Sequence, residues 1–358
     1  MSNDPAPFAE SLAAIFERLM VRHGPISLAH FMAESNARYY AGKDPLGQGG
    51  DFITAPEISQ MFGELIGLWL ADTWLRAGRD GPVHYVELGP GRGTLASDAL
   101  RAARRYGLQP KVHFVETSPT LREAQCAAVP EAQWHHDLTG VPDQGTVLIV
   151  ANEFFDALPV RQLVRTEHGW RERMVGLGDG GFVPVAGDKP MDAALPGHMR
   201  DGLAKAQPGT IIETCPAAAA VIDEIAARLR DQGGAALVID YGHAAPRTGS
   251  TLQAVREHRK VDPFAMPGLA DLTTHVDFAA LAEVAQARGC KWLGTVTQGD
   301  WLRALGIETR AQGLATYAPA QADAIRVAKD RLIGDKQMGI LFKVMGLADP
   351  DWPDAPGF

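Results

Sequence analysis

Beginning at Val83 the chain repeats one unit, an apolar strand, a turn and a helix, and few architectures accept such a repeat. V-H-Y-V-E-L-G (83–89) reads as a strand, G-R-G-T (91–94) as a turn and Leu95 to Arg105 as a helix. K-V-H-F-V-E-T (111–117) is a second strand with a helix from Pro119, W-H-H-D-L (134–138) a short third, and T-V-L-I-V-A-N-E-F-F (146–155) a fourth. The fourth is nearly all apolar, as a strand covered on both faces must be. Units joined this way give a parallel sheet with right-handed crossovers, because a right-twisted strand feeding a helix packs back onto the sheet in one hand only. The expected fold class is α/β, a doubly wound sheet.

Ahead of this repeat the chain is helical. Phe8 to His23 carries Leu12, Ile15, Phe16 and Leu19 at helical spacing. Ser27, an N-cap type of residue, starts a second helix toward Tyr40. After a loop from Gly42 to Asp51, Pro56 and Glu57 open a third helix whose stripe includes Met61, Phe62, Ile66 and Trp69. Behind the fourth strand, R-Q-L-V-R, W-R-E-R-M-V and G-F-V-P-V are separated by E-H-G and G-D-G-G and read as antiparallel hairpins. A-A-L-V-I-D-Y-G (235–242) resumes the buried strands, and M-G-I-L-F-K-V-M (338–345) closes them. Four segments result: an N-terminal helical region with a lid loop (1–80), the first half of the sheet (81–159), a β-rich insertion (160–215), and the second half of the sheet with helical insertions (216–358).

Composition removes several function classes. A formal charge of −9 disfavours nucleic-acid binding, which draws its affinity from Lys and Arg on phosphates. Cys126, Cys215 and Cys290 form no C-x-x-C pair and the eleven histidines no H-E-x-x-H, so no metal site is expected. No run of about 18 apolar residues occurs, so no membrane span is expected. The first ten residues have neither signal-peptide nor transit-peptide character, and a cytoplasmic, bacterial location is the expectation.

The sharpest local signal is Glu87-Leu88-Gly89-Pro90-Gly91-Arg92-Gly93-Thr94. Glycines there let the backbone turn tightly and approach a ligand, at the edge where doubly wound sheets bind their ligands. A dinucleotide site would read G-x-G-x-x-G with a helix N-terminus on pyrophosphate. Here the spacing is G-x-G-x-G, and Glu87 would repel a pyrophosphate. It suits instead the ammonium of an aminoacyl-type cofactor such as S-adenosylmethionine, so a nicotinamide dehydrogenase is the weakest reading. Glu116 ends the second strand and is expected to hold both ribose hydroxyls bidentately. Asp137 ends the third and is expected to accept from the adenine amino group. A turn-capping role for Asp137 is the competing reading.

Over the same edge lies Ala151-Asn152-Glu153-Phe154-Phe155-Asp156-Ala157-Leu158-Pro159. Methyl transfer needs an aligned nucleophile that is relieved of positive charge. Two carboxylates suit a guanidinium, holding its planar fork and drawing charge from the attacking nitrogen. Glu153 and Asp156, three apart, are the catalytic candidates. Phe154 and Phe155 are expected to wall the acceptor channel, and Asn152 to meet cofactor or acceptor.

The segments at 50–64, 87–95, 116–122, 151–160, 240–243, 262–273 and 276–278 together resemble the MidA-like family, which includes the mitochondrial complex I assembly methyltransferase. The resemblance runs from about residue 25 to 345. It implies a class I (Rossmann-like) methyltransferase that uses S-adenosylmethionine, with Gly89, Gly91, Gly93 and Glu116 at the cofactor; Pro90, within the same loop, is a further cofactor-binding candidate. It implies protein arginine N-methylation of a basic partner such as the 49 kDa-type subunit of complex I; the sequence leaves monomer and homodimer both open. It also draws attention to Asp51, Phe52, Thr54 and Glu57, a loop entering a helix that could close over the cofactor, and to Asp240, Tyr241 and His243. His243 is the one obvious group to take a proton near neutral pH. A small-molecule methyltransferase and a non-catalytic assembly factor of the same fold stand as alternatives.

Overall fold

The structure, a computed structural model, describes residues 10–42, 53–78 and 81–358. Asp51 and Phe52 of the expected lid lie outside the described residues. The chain divides into two compact units, each built from separated stretches: 1–42, 157–216 and 247–274 form one, and 43–156, 217–246 and 275–358 the other. This regroups the four expected segments. The first two helices, Leu12–His23 and Leu28–Gly42, share a unit with the β insertion, because Ile26–Ser27 between them pairs with the Gly169–Gly178 strand.

The first unit contains the antiparallel meander anticipated from the hairpin signals. Arg161–Thr166, Gly169–Gly178 and Gly181–Pro190 pair in succession, with Ile211–Thr214 on the far side of Arg161–Thr166. Phe16, Phe31, Met32, Val175 and Leu272 form its buried centre.

The second unit holds the large sheet. Its main strands are β1 (Val83–Leu88), β2 (Lys111–Val115), β3 (Gln133–His135), β4 (Thr146–Asn152), β5 (Gly234–His243), β6 (Lys291–Thr297) and β7 (Phe342–Ala348), in the order β3-β2-β1-β4-β5-β7-β6. β1 to β5 are parallel and β7 runs against both its neighbours. The order reverses between β1 and β4, the switch point at which such sheets open a crevice beyond their carboxyl ends. Every residue of β1 and β4 is buried, as in strands covered on both faces; β4 is apolar from Val147 to Ala151, while β1 carries His84 and Glu87 within it.

Three departures from the sequence reading have local causes. The helix expected from Pro56 is broken at Ser59, whose φ of −165° ends Ala55–Ile58 and whose hydroxyl caps Gln60–Arg76 by accepting from Met61 N–H. β3 stops at His135, because Asp137 turns back to cap the next residues. The last strand begins at Phe342, after a short helical turn at Met338–Leu341.

Two further features hold the sheet edge in place. The Gln60–Arg76 helix lies against Thr94–Ala103 at Gly63 and Gly67; a Cβ on Gly67 would sit 2.1 Å from the Ala99 carbonyl oxygen. Across β1, β2 and β3, His84 Nδ1 meets His113 Nε2 at 2.8 Å and His113 Nδ1 meets His135 Nε2 at 2.9 Å. His113 is fully buried, and burial, followed by the neighbouring imidazoles, lowers it to about 4. Burial likewise lowers His84 and His135. A one-residue slip of any of these strands would move its imidazole to the other face, so the chain of rings fixes the register. Among the described residues no helix is long and apolar enough to cross a membrane, and no group of three His, Cys, Asp or Glu is placed to hold a metal.

Candidate functional site

The glycine loop leaves β1 at the switch point. Gly89, Gly91 and Gly93 have φ of +60°, +55° and +80°, the left-handed region that side chains other than glycine adopt at a cost. Gly89 N–H crosses to the Val115 carbonyl at the end of β2, and Gly93 N–H closes a turn on the Pro90 carbonyl before capping Thr94–Ala103. A Cβ on Gly89 would lie 3.0 Å from Phe154 Cδ2, so the loop also needs its glycines to admit the segment after β4.

Glu87 is 2% exposed. The Tyr85 hydroxyl donates to its Oε2 at 2.6 Å, yet burial dominates and pushes the carboxyl up to about 8. A carboxyl kept dry beside a ligand edge favours a cation that would share its burial. Asn152, at the end of the adjacent β4, is also buried; its Nδ2 donates to Glu153 at 3.3 Å, and its Oδ1 has no hydrogen-bond partner. An orphaned buried carbonyl next to a dry carboxyl is the arrangement that an ammonium or amide donor completes. These residues fit S-adenosylmethionine.

Glu116 is buried at the end of β2, but the bidentate grip expected of it is not available as drawn. Its Oε1 accepts from the backbone N–H groups of Thr117 and Ser118 at 2.8 and 2.7 Å, and its Oε2 from Gln125 Nε2 at 3.1 Å. Of about four acceptor positions three are filled, leaving one, on Oε2. Asp137 is a correction. Its carboxylate accepts from Thr139 N–H and Oγ1–H and caps the turn Leu138–Gly140; the side chain is 61% exposed. Local capping wins because Asp two residues before a free N–H closes a turn at little entropic cost.

The acidic segment after β4 comes together around a residue outside the expected catalytic set. Glu153 adopts φ +52°, one of three described non-glycine residues with positive φ; the other two, Glu257 and His258, form a hairpin turn. Strain of this kind persists where the surroundings enforce it. Asp240, fully buried three residues before the end of β5, holds the segment just after Glu153: its Oδ2 accepts from Phe155 and Asp156 N–H at 3.0 and 3.2 Å, and its Oδ1 from Tyr241 N–H at 2.9 Å. Asp156 is buried and accepts from the Tyr241 hydroxyl. Glu153 Oε1 accepts from Ala55 N–H at 3.1 Å. Burial first, with the Asp156 charge adding to it, raises Glu153 to about 7. Burial, then Asp156 and Glu153, raises Asp240. Three carboxyl groups so placed cannot all ionise without a cation to share.

Two expectations change here. Phe155 is 2% exposed and gives its N–H to Asp240, so it belongs to the core and does not wall a channel; Phe154 is the ring at the glycine loop. His243 directs Nδ1 to the Ala245 carbonyl at 2.8 Å and pairs at 3.9 Å with Asp277, so its interactions lead away from Glu153 and Asp156 and do not support the proton-accepting role. Thr54 sits at the N-cap of Ala55–Ile58 without a side-chain cap bond. Glu57 accepts from the Thr94 hydroxyl at 2.6 Å, so that short helix is tied both to Glu153 and to the helix behind the glycine loop. Asp240 was visible as a strand-end acid; Gln125 gave no sequence signal, because its three partners are brought to it by three different crossings.

Comparison with known proteins agrees with this geometry. Residues 65–296 match a family described as S-adenosyl-L-methionine-dependent methyltransferases. The mitochondrial protein arginine methyltransferase NDUFAF7 of Danio rerio is 36% identical over 90% of this chain and 83% of its own length. Its Homo sapiens counterpart is 35% identical, over 90% of this chain and 80% of its own. A superfamily member from Burkholderia thailandensis, solved with S-adenosylhomocysteine, superposes with a TM-score of 0.83 at 28% identity, covering 97% of this chain and 93% of that one. The curated relatives are mitochondrial proteins, which overturns the cytoplasmic location expected from the N-terminal residues. The sheet has the class I methyltransferase fold, and the chain belongs to the family of S-adenosylmethionine-dependent methyltransferases.

Proposed function

We propose that the chain is a protein arginine N-methyltransferase, with Glu153 and Asp156 receiving the acceptor guanidinium beside a cofactor held by Glu87, Asn152, Glu116 and the glycine loop. The observation that carries this reading is the cluster of three carboxyls beside the carboxyl ends of β4 and β5: Asp156 and Asp240 are buried, and Glu153, half-buried, has its carboxyl raised by that burial. A guanidinium meets their charge with a planar fork of donors. S-adenosylmethionine supplies the methyl group from its sulfonium. Glu153 and Asp156 would draw positive charge onto the guanidinium nitrogens they bind and leave the third richer in electrons. Methylated guanidinium remains a cation, so one proton must leave; Glu153, raised to about 7, can hold it at neutral pH. The names of the relatives support an arginine in a protein as acceptor, and the family resemblance makes the 49 kDa-type complex I subunit the first partner to test.

The test is transfer of labelled methyl from S-adenosylmethionine to candidate protein partners, read by mass spectrometry for methylarginine. Wild type should label arginine. Glu153→Gln should lose roughly a hundredfold or more in rate while binding S-adenosylhomocysteine as wild type does. Methylation confined to a small molecule, or to another residue type, refutes the proposal, as does a fully active Glu153→Gln.

A further inference from the structure

Gln125 lies on the Pro119–Ala128 helix and is fully buried. Its carboxamide makes three hydrogen bonds, each to a different crossing of the chain. Nε2 donates to the Gly91 carbonyl at 2.8 Å and to Glu116 Oε2 at 3.1 Å, and Oε1 accepts from Trp134 Nε1–H at 2.8 Å. The orientation of the amide is settled by chemistry: an indole N–H only donates, so Oε1 must face Trp134 and Nε2 must face the other two. Both hydrogens of Nε2 are then used. Glutamate at this position would set a second carboxylate against Glu116, and an aliphatic side chain would take from a half-buried backbone carbonyl and a half-buried indole N–H the partner each has here.

The geometry points to Gln125 as the positioning residue that aims Glu116 at the cofactor's ribose. With Oε1 taken by Thr117 and Ser118, Oε2 is the corner of Glu116 with an acceptor position to spare, and Gln125 holds that corner. The same Nε2 holds Gly91, so the ribose-binding acid and the glycine loop are set relative to each other by one side chain, and Trp134 sets the side chain. Gln125 acts through Glu116 and touches no ligand itself. The inference rests on the reading that Glu116 binds the ribose.

Calorimetry separates the two ideas. Affinities for S-adenosylhomocysteine and for its analogue lacking both ribose hydroxyls are measured with wild type, Gln125→Met, Glu116→Gln and the double variant. Gln125→Met should weaken S-adenosylhomocysteine roughly ten- to a hundredfold and the analogue by no more than about threefold. The double variant should lose clearly less than the two single losses combined, because coupled residues do not add. If Glu116→Gln binds S-adenosylhomocysteine as wild type does, the ribose reading fails and takes the inference with it. If Glu116→Gln weakens binding but the two losses add, or if Gln125→Met weakens both ligands equally, the inference alone fails. Should Gln125→Met not fold, Trp134→Phe carries the same test: freeing the amide to flip should produce a smaller loss that still discriminates between the ligands, and an equal effect on both overturns the inference.

Discussion

Binding of the cofactor should expel a proton, and Glu87 sets how much. The carboxyl stands at about 8, raised by burial, whereas its ligand in the proposed site, an ammonium, requires the ionised form. At pH 7 a group with that value is roughly 0.9 protonated, so each S-adenosylhomocysteine bound should release roughly 0.9 of a proton; at pH 8 the figure falls to about 0.5. Ionising the group at pH 7 costs about 1.4 kcal/mol. The direction follows: raising the pH prepays that ionisation, so affinity should tighten about fivefold between pH 7 and pH 8. The assay is calorimetry in two buffers of different ionisation enthalpy, phosphate and Tris, whose apparent enthalpies differ in proportion to the protons exchanged. Glu87→Gln is the control, which should bind more weakly, with neither proton release nor the rise with pH. Release near zero in the wild type at pH 7, or equal release from Glu87→Gln, refutes the reasoning.

Other perturbations test the frame around that site. Asp240→Asn puts an NH2 where an acceptor is needed by the 155–156 backbone; methyl transfer should fall roughly tenfold or more with S-adenosylhomocysteine affinity unchanged, and a parallel loss of both would show a general collapse. Because Glu153 is raised to about 7 and must be ionised to receive a guanidinium, kcat/KM for the protein acceptor should climb through that pH; a profile flat from 6 to 8 would count against it. Gly67→Ala brings a methyl to within 2.1 Å of the Ala99 carbonyl oxygen, and urea unfolding should show a loss of about 2–3 kcal/mol. His113 is lowered to about 4, so its contribution is present above its unfolded value of about 6.5 and is lost as pH falls toward 4. The stability advantage of wild type over His113→Asn should therefore shrink by up to about 2 kcal/mol from pH 7 to pH 5, and an advantage that grows on acidification would reverse the argument.

What could be read in advance depended on how far apart the interacting residues are. The sheet was legible because each strand announces itself: the all-buried run of β4 and the glycine loop after β1 are local patterns. The acids were legible as strand ends, but not what each carboxylate would do. Asp137 was spent on Thr139, two residues away, and that local bond was the better guide. Ser59 looked like one more position on a continuous helix, yet its hydroxyl makes it a cap. The hold of Asp240 on Phe155 and Asp156 spans some 85 residues, and the left-handed backbone of Glu153 precedes that hold by two residues, so neither could be seen in the 151–159 segment. Histidines 84, 113 and 135 formed no spacing motif, because their relation exists only across paired strands.

The division of the chain also dictates a timetable for its synthesis. Ile26–Ser27 finds its partner strand at Met174 and Val175, so the ribosome must add about 150 residues, some 8–30 s at ordinary elongation rates, before the earliest helices can dock on it. The unit they enter still wants residues 247–274, which emerge later again. Through that interval Leu12–His23 and Leu28–Gly42 can pack on each other through Phe16 and Phe31 but lack the strand that completes their core, and a nascent-chain chaperone has its longest opportunity there.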